Sequence, residues 1–153
     1  MKLIIERTVG PLVKEKLAAF RARAEALRRD KRLVDDRLDE LRGIDPAERI
    51  LDLKVVDPAM GCGHFLVSLV DYLAEHVTTA MGEAHEAVAW ADYVSPLVGR
   101  LAATWAKIRE QADEHGWAVR DEQLTDKNLV KRFVLKRCVY GVDKNPMWRR
   151  ATR

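Results

Sequence analysis

The sequence predicts an α/β fold dominated by helices, with two short parallel strands. Two apolar runs, 53–57 and 138–143, each end on an acid. The first passes into a glycine turn, Gly61-Cys62-Gly63, and then into a helical pattern. Most of the remaining chain carries apolar residues at helical spacing. The 153 residues suffice for about one domain with a real core. Hydrophobic residues make up 48% and charged residues 33%, which excludes a disordered acidic tail and a membrane protein. No run approaches the ~18 apolar residues of a membrane span. Met1-Lys2-Leu3-Ile4-Ile5 opens like a signal peptide, but Glu6 and Arg7 end it too early. Cys62 and Cys138 are too few for a disulfide framework or a four-cysteine zinc site. A reducing cytoplasmic setting is the expectation.

The elements follow in order. Thr8-Val9-Gly10-Pro11 reads as a turn, with Pro11 suited to a first helical position. Val13, Leu17, Phe20, Ala24, Leu27, Val34, Leu38 and Leu41 follow at steps of four and three, apart from one step of seven. Lys31 stands where the seam residue is missing. This heptad-like stripe predicts one long helix over 12–42, roughly 45 Å at ~1.5 Å per residue, capped by Gly43. A break at Arg28-Arg29-Asp30-Lys31-Arg32 into a hairpin is the alternative. Either way the stripe must pack on something, the chain itself or a partner, so helix-mediated self-association is a candidate. Asp45-Pro46-Ala47-Glu48 carries the signals of a capped helix start.

A short buried strand is expected at 54–57. After the glycine turn comes a helix from about 64 to 81, with Phe65, Leu66, Leu69, Val70 and Leu73 on one side. Residues 83–137 read as a helical insert. One helix covers about 83–93, another runs from Ser95-Pro96 to His115-Gly116, and a third from Thr125-Asp126 to about 137. The last strand lies over 138–142.

The charge is uneven. Residues 1–126 hold 18 basic and 23 acidic side chains, and residues 127–153 hold 9 basic and 1 acidic. The basic end is either a solvated surface or a patch for nucleic acid.

The chemistry-bearing segment is Val55-Val56-Asp57-Pro58-Ala59-Met60-Gly61-Cys62-Gly63-His64-Phe65. Gly61 and Gly63 let a ligand approach the backbone. The helix from His64 offers free amides and a positive dipole end. The segment lacks the Gly-Lys-Ser/Thr of a Walker loop. It also lacks the third glycine of the dinucleotide fingerprint, where Leu66 stands. Asp143, at the end of the second strand, occupies the place of an acid that accepts from ribose hydroxyls. A plain tight turn and a helix cap remain the structural alternatives for these residues.

Residues 57–65, Asp-Pro-Ala-Met-Gly-Cys-Gly-His-Phe, resemble the first motif of S-adenosylmethionine-dependent DNA adenine methyltransferases. Tyr140-Gly141-Val142-Asp143-Lys144-Asn145-Pro146 resembles the second. The likeness is strongest to the type IIG restriction and BREX phage-defence members, where a long helical insert also separates the motifs. Here 86 positions separate Asp57 from Asp143, against ~20 from glycine loop to acid in an ordinary nucleotide fold. Residues 4–11 are similar to the family's approach to the first motif.

The resemblance implies a partial Rossmann-like methyltransferase core with S-adenosylmethionine as cofactor and DNA as partner of the intact enzyme. The implied cofactor-binding set is Asp57, Pro58, Gly61, Cys62, Gly63, Phe65 and Asp143. In it Asp57 holds the loop and faces the methionine ammonium. The glycines admit the methionine part, Phe65 packs beside the cofactor, and Asp143 takes the ribose hydroxyls. Cys62 departs from the usual serine and is a weaker donor.

No catalytic residue and no metal ligand is assigned. The family's Asn/Asp-Pro-Pro-Tyr/Phe tetrapeptide is absent from these residues. Asn145-Pro146-Met147-Trp148 lacks the second proline and follows the ribose acid directly. In the family Asn145-Pro146 would instead open the next helix, and 148–153 do not continue it. The expectation is an N-terminal fragment, cut or frameshifted near its end and clipped at its start, inactive alone and with weak or undetectable cofactor binding. The competing expectations are a helical interaction module with a structural glycine turn, and a basic nucleic-acid adaptor using 127–153.

Overall fold

The computed structural model describes residues 2–117 and 125–143. Among them are helices α1 (Lys2–Thr8), α2 (Gly10–Arg28), α3 (Val34–Gly43) and α4 (Pro46–Leu51), then strand β1 (Val55–Asp57). Helices α5 (His64–Ala87), α6 (Pro96–His115) and α7 (Asp126–Arg137) follow, and strand β2 (Val139–Gly141) comes last. The chain is mostly helical around a two-stranded parallel sheet, with Val55 opposite Val139, Val56 opposite Tyr140 and Asp57 opposite Gly141.

The predicted single helix over 12–42 is not formed. The chain breaks at 29–33 and folds back, so the hairpin alternative is the one realised. A straight helix would carry Leu38 and Leu41 away from any partner. Folding back buries them with Phe20, Ala24 and Leu27. The turn residues satisfy the exposed ends. Asp30 Oδ1 accepts from the Arg32 amide at 2.9 Å, and Arg37 donates to the Leu27 carbonyl at 2.9 Å. Glu40 is held by Arg23 and, at 2.9 Å, by Arg32.

One element was not foreseen and one further expectation needs correction. Residues 2–8 form a helix, α1, whose Ile5 joins the core with Val9. The helix expected over 83–93 does not exist separately, because α5 runs unbroken to Ala87. Gly82 is exposed, while Val77, Ala80 and Ala84 keep one buried face across it. That continuous burial offsets the ~1 kcal/mol that a mid-helix glycine costs relative to alanine.

Four helix ends obey their local signals, but Gly43, expected as a C-terminal cap, is instead the last residue of α3, without left-handed backbone, and Ile44 follows it as C-cap. Asp45 Oδ1 accepts from the Glu48 amide at 3.1 Å to cap α4. Ser95 caps α6 through the Leu97 amide, Gly116 ends it, and Thr125 caps α7 through the Asn128 amide. Expectations for 118–124 and for 144–153, including Asn145, Pro146 and the basic end, lie outside the described residues.

Two core clusters form. The first packs α1, α4, α5, α6 and α7 around Leu51, Leu69, Leu73, Val77, Leu97 and Val134. The second gathers the α2–α3 hairpin with Ala84, Val88 and Tyr93. Helices α2 and α5 contribute to both. Glu48 binds Arg100 and Arg137, and Arg137 also reaches Asp52 at 2.7 Å. Lys54 donates to the Arg137 carbonyl. This network ties the starts of both strands to α4, α6 and α7. Val55 and Val139 pack on the first cluster, whereas Val56 and Tyr140 lie on the open face of the sheet. No helix among the described residues is long and apolar enough to cross a membrane.

Candidate functional site

The two strands deliver their acid-terminated ends to one edge. The ladder closes where the Val142 amide donates to the Asp57 carbonyl at 2.8 Å. One turn later the Met60 amide donates to the Val142 carbonyl at 3.0 Å. The segment after β1 therefore crosses the end of β2, and Asp143 follows directly from that crossing. The expected adjacency of Asp57, the glycine turn and Asp143 is present, although 86 positions separate the two acids.

Asp57 shapes the loop. Its Oδ1 accepts from the Ala59 amide at 3.1 Å, which tightens the turn at Pro58. Its Oδ2 takes no hydrogen bond among the described residues. Gly61 has φ +52° and Gly63 φ +75°, both left-handed. L-residues other than Asn and Asp enter that region at a cost of about 1–2 kcal/mol. The Gly63 amide bonds the Met60 carbonyl at 2.9 Å, and the Gly63 carbonyl accepts from Val67 at 3.0 Å to begin α5. A Cβ on Gly63 would meet nothing within 4 Å, and one on Gly61 only the Ala59 carbonyl at 3.9 Å. The backbone here is bare on the side where side chains would stand. The first amides of α5 have no partner within the helix, so this edge combines unfilled space with amides that the helix itself leaves unused.

The other members of the predicted set divide. Phe65 is partly buried and packs on the first core cluster. Pro58 is exposed and Asp143 half-buried. Cys62 is exposed, and its Sγ lies 2.9 Å from Nδ1 of His64. That contact was not anticipated, although a cysteine two residues before a histidine at a helix start could have signalled it.

Gly141 was also missed as a structural residue. A Cβ there would lie 2.3 Å from Met60 Sδ and 2.8 Å from Leu66 Cδ1. Met60 and Leu66 thus press the loop and α5 onto β2, and a side chain at 141 would have to displace them.

A cavity of about 290 Å³ lies elsewhere, between α5, α6 and the start of α7. It is lined by Ala74, Thr78, Met81, Leu101 and Val130 with Glu75, Asp126 and Lys127, and includes none of the predicted site residues.

Comparison of the chain with protein-family models, with curated proteins and with solved structures finds no match.

Proposed function

We propose that this chain binds S-adenosylmethionine at the edge formed by 57–65 and Asp143, as the cofactor-binding part of a DNA adenine methyltransferase with a Rossmann-like core. The supporting observation is the meeting of the left-handed glycine turn and Asp143 at one end of two parallel strands. Ligands of open α/β sheets sit at that end. The residues present fit the cofactor's chemistry. Asp57 Oδ2, which takes no hydrogen bond among the described residues, is an acceptor for an ammonium, the glycine turn leaves room for the methionine backbone, and Asp143 is an acceptor for ribose hydroxyls. When bound, the cofactor supplies an electrophilic methyl group. The chain's own residues bind and orient it. The Asn/Asp-Pro-Pro-Tyr/Phe tetrapeptide that would receive a flipped adenine does not occur in these residues, so the proposal is cofactor binding rather than methyl transfer by this chain.

The heptad stripe, the main sequence argument for a helical interaction module, is largely covered within the chain. Val13, Phe20, Ala24, Leu27, Leu38 and Leu41 are all buried. Self-association would need another surface.

Ligand-observed NMR with S-adenosylmethionine tests the reading. Weak binding is expected. Asp143→Ala should lower affinity about ten- to hundredfold, the ~1.5–3 kcal/mol of a hydrogen bond to a charged acceptor. Gly63→Asn is the sharper variant. Asparagine tolerates the left-handed backbone, so the fold should survive while its side chain enters the open space. It should reduce binding at least as much. No binding by the wild-type chain at millimolar cofactor, or unchanged affinity in both variants, would defeat the proposal.

A further inference from the structure

We propose that the cavity between α5, α6 and α7 binds a free α-amino acid with an apolar side chain, its ammonium at Glu75 and its carboxylate at Lys127. The inference needs nothing of the cofactor reading, because the cavity shares no residue with that edge.

The pairing of α5 with α7 carries it. Residue 71 of α5 meets 131 of α7, whereas residues 74–81 meet 126–130 around the cavity, so the two helices run antiparallel here. Asp71 and Lys131 close an ion pair at 2.7 Å. One turn further along each helix, at the spacing that keeps side chains on one face, stand Glu75 and Lys127. Both are exposed and both line the cavity. They make no ion pair or hydrogen bond, with each other or with any other described residue. Opposite charges thus close where the helices touch and stay open where the cavity parts them.

The walls say what fits between those charges. Ala74, Met81, Leu101 and Val130 give an apolar interior continuous with the first core cluster. Its volume, about 290 Å³, lies at the low end of the ~300–1,000 Å³ of small-molecule sites, so the occupant is small. An apolar side chain can enter while both charges stay at the exposed rim, where they need no burial. The Thr78 hydroxyl donates to the Ala74 carbonyl at 3.0 Å, and its oxygen can still accept from an ammonium. The carboxylate belongs on the α7 side, where the positive end of that helix adds to Lys127. Asp126 beside it accepts from the Trp105 indole N–H at 2.8 Å, across the gap to α6. The rim therefore carries two acids and one lysine, which disfavours a carboxylate that brings no amine.

The test is a titration of the isotope-labelled full chain with L-leucine, followed by amide NMR shifts. Saturable shifts are expected, confined to residues around 74–81, 101 and 126–130. 3-Methylbutylamine, which lacks the carboxylate, and 4-methylpentanoate, which lacks the amine, should each bind at least about threefold more weakly. Glu75→Gln and Lys127→Met should each lower the affinity for leucine about three- to tenfold. Neither residue has a bond to lose, so the fold should survive, and an unchanged spectrum outside the cavity reports that it does. Lys131→Met removes the same charge one turn away from the cavity and should leave affinity unchanged. No saturable shift up to about 10 mM leucine overturns the proposal. Equal affinity for 3-methylbutylamine also overturns it and makes the cavity a site for cationic amphiphiles. An equal loss in Lys127→Met and Lys131→Met overturns it too, by reducing the effect to net charge.

Discussion

Asp45 shows how much one side chain can carry. It is fully buried, and both oxygens are used. Oδ1 caps α4, and Oδ2 accepts from the Tyr93 hydroxyl at 2.7 Å. Tyr93 in turn stacks against Phe20 at 5.5 Å between ring centres, in the second core cluster. Asp45→Ala removes a cap, worth ~1 kcal/mol, and strands a buried hydroxyl, worth ~1–3 kcal/mol. Its expected cost is therefore about 2–4 kcal/mol. Tyr93→Phe keeps the cap and should cost less. Urea unfolding of the two variants checks the ranking, and equal costs would refute it. The capping role of Asp45 was legible from Asp-Pro-Ala-Glu. The bond to Tyr93 was not, because 48 positions intervene and no local rule pairs them.

At the scale of elements, the approach of α5 to β2 decides the shape of the candidate site. Gly141 is the contact point, with Met60 and Leu66 lying on it. Gly141→Ala forces both side chains aside. Overpacking of this kind costs typically about 1–3 kcal/mol. The thioether of Met60 is flexible, so Gly141→Ala with Met60→Ala should recover part of that loss. Chemical denaturation of the single and double variants measures the coupling. Strict additivity would mean that Met60 does not press on Gly141. The same approach explains why the two strands need only three residues each. Their pairing is extended by the Val142 amide and carbonyl beyond the regular ladder. The heptad stripe teaches the complementary lesson. Its period announced an apolar face, and Lys31 marked the gap, but period alone does not say whether a helix runs on or doubles back. The tendency of Leu38 and Leu41 to find Phe20 and Leu27 settles that in space.

For the whole molecule, two fully buried proton-bearing groups among the described residues, Cys138 and Tyr93, make stability depend on alkaline pH. Cys138 is raised from the ordinary 9.0 to about 11 by burial. Tyr93 is also raised, first by burial and then by its bond to Asp45. Both keep their protons in the folded chain after the unfolded chain has lost them. Their stabilising contribution is therefore complete below about pH 9 and falls as pH rises towards 11 for the thiol, and above about 10 for the phenol. The urea midpoint should fall steadily from pH 9 to 10.5. Cys138→Ala should flatten the early part of that fall, and Tyr93→Phe the later part. Parallel slopes in wild type and Cys138→Ala would show that the thiol keeps no such advantage.

The sequence by itself determined what is local. It located the caps at Asp45, Ser95 and Thr125, the two strands, the glycine turn and the start of α5, because each depends on residues within one turn of chain. It also supplied the chemistry of the site, since the glycines and the terminal acids are visible without coordinates. The unbroken α5 and the short α1 were harder to read. Gly82 looked like a break, and the Ile5, Val9, Val13 spacing of fours is brief. Only the tertiary structure decided how distant pieces meet: that 12–42 is a hairpin, that Tyr93 reaches Asp45, that Gly141 lies beneath Met60, and that Cys62 touches His64. Such contacts depend on which buried surfaces can be satisfied together, and that is a property of the packed chain rather than of any one stretch of it.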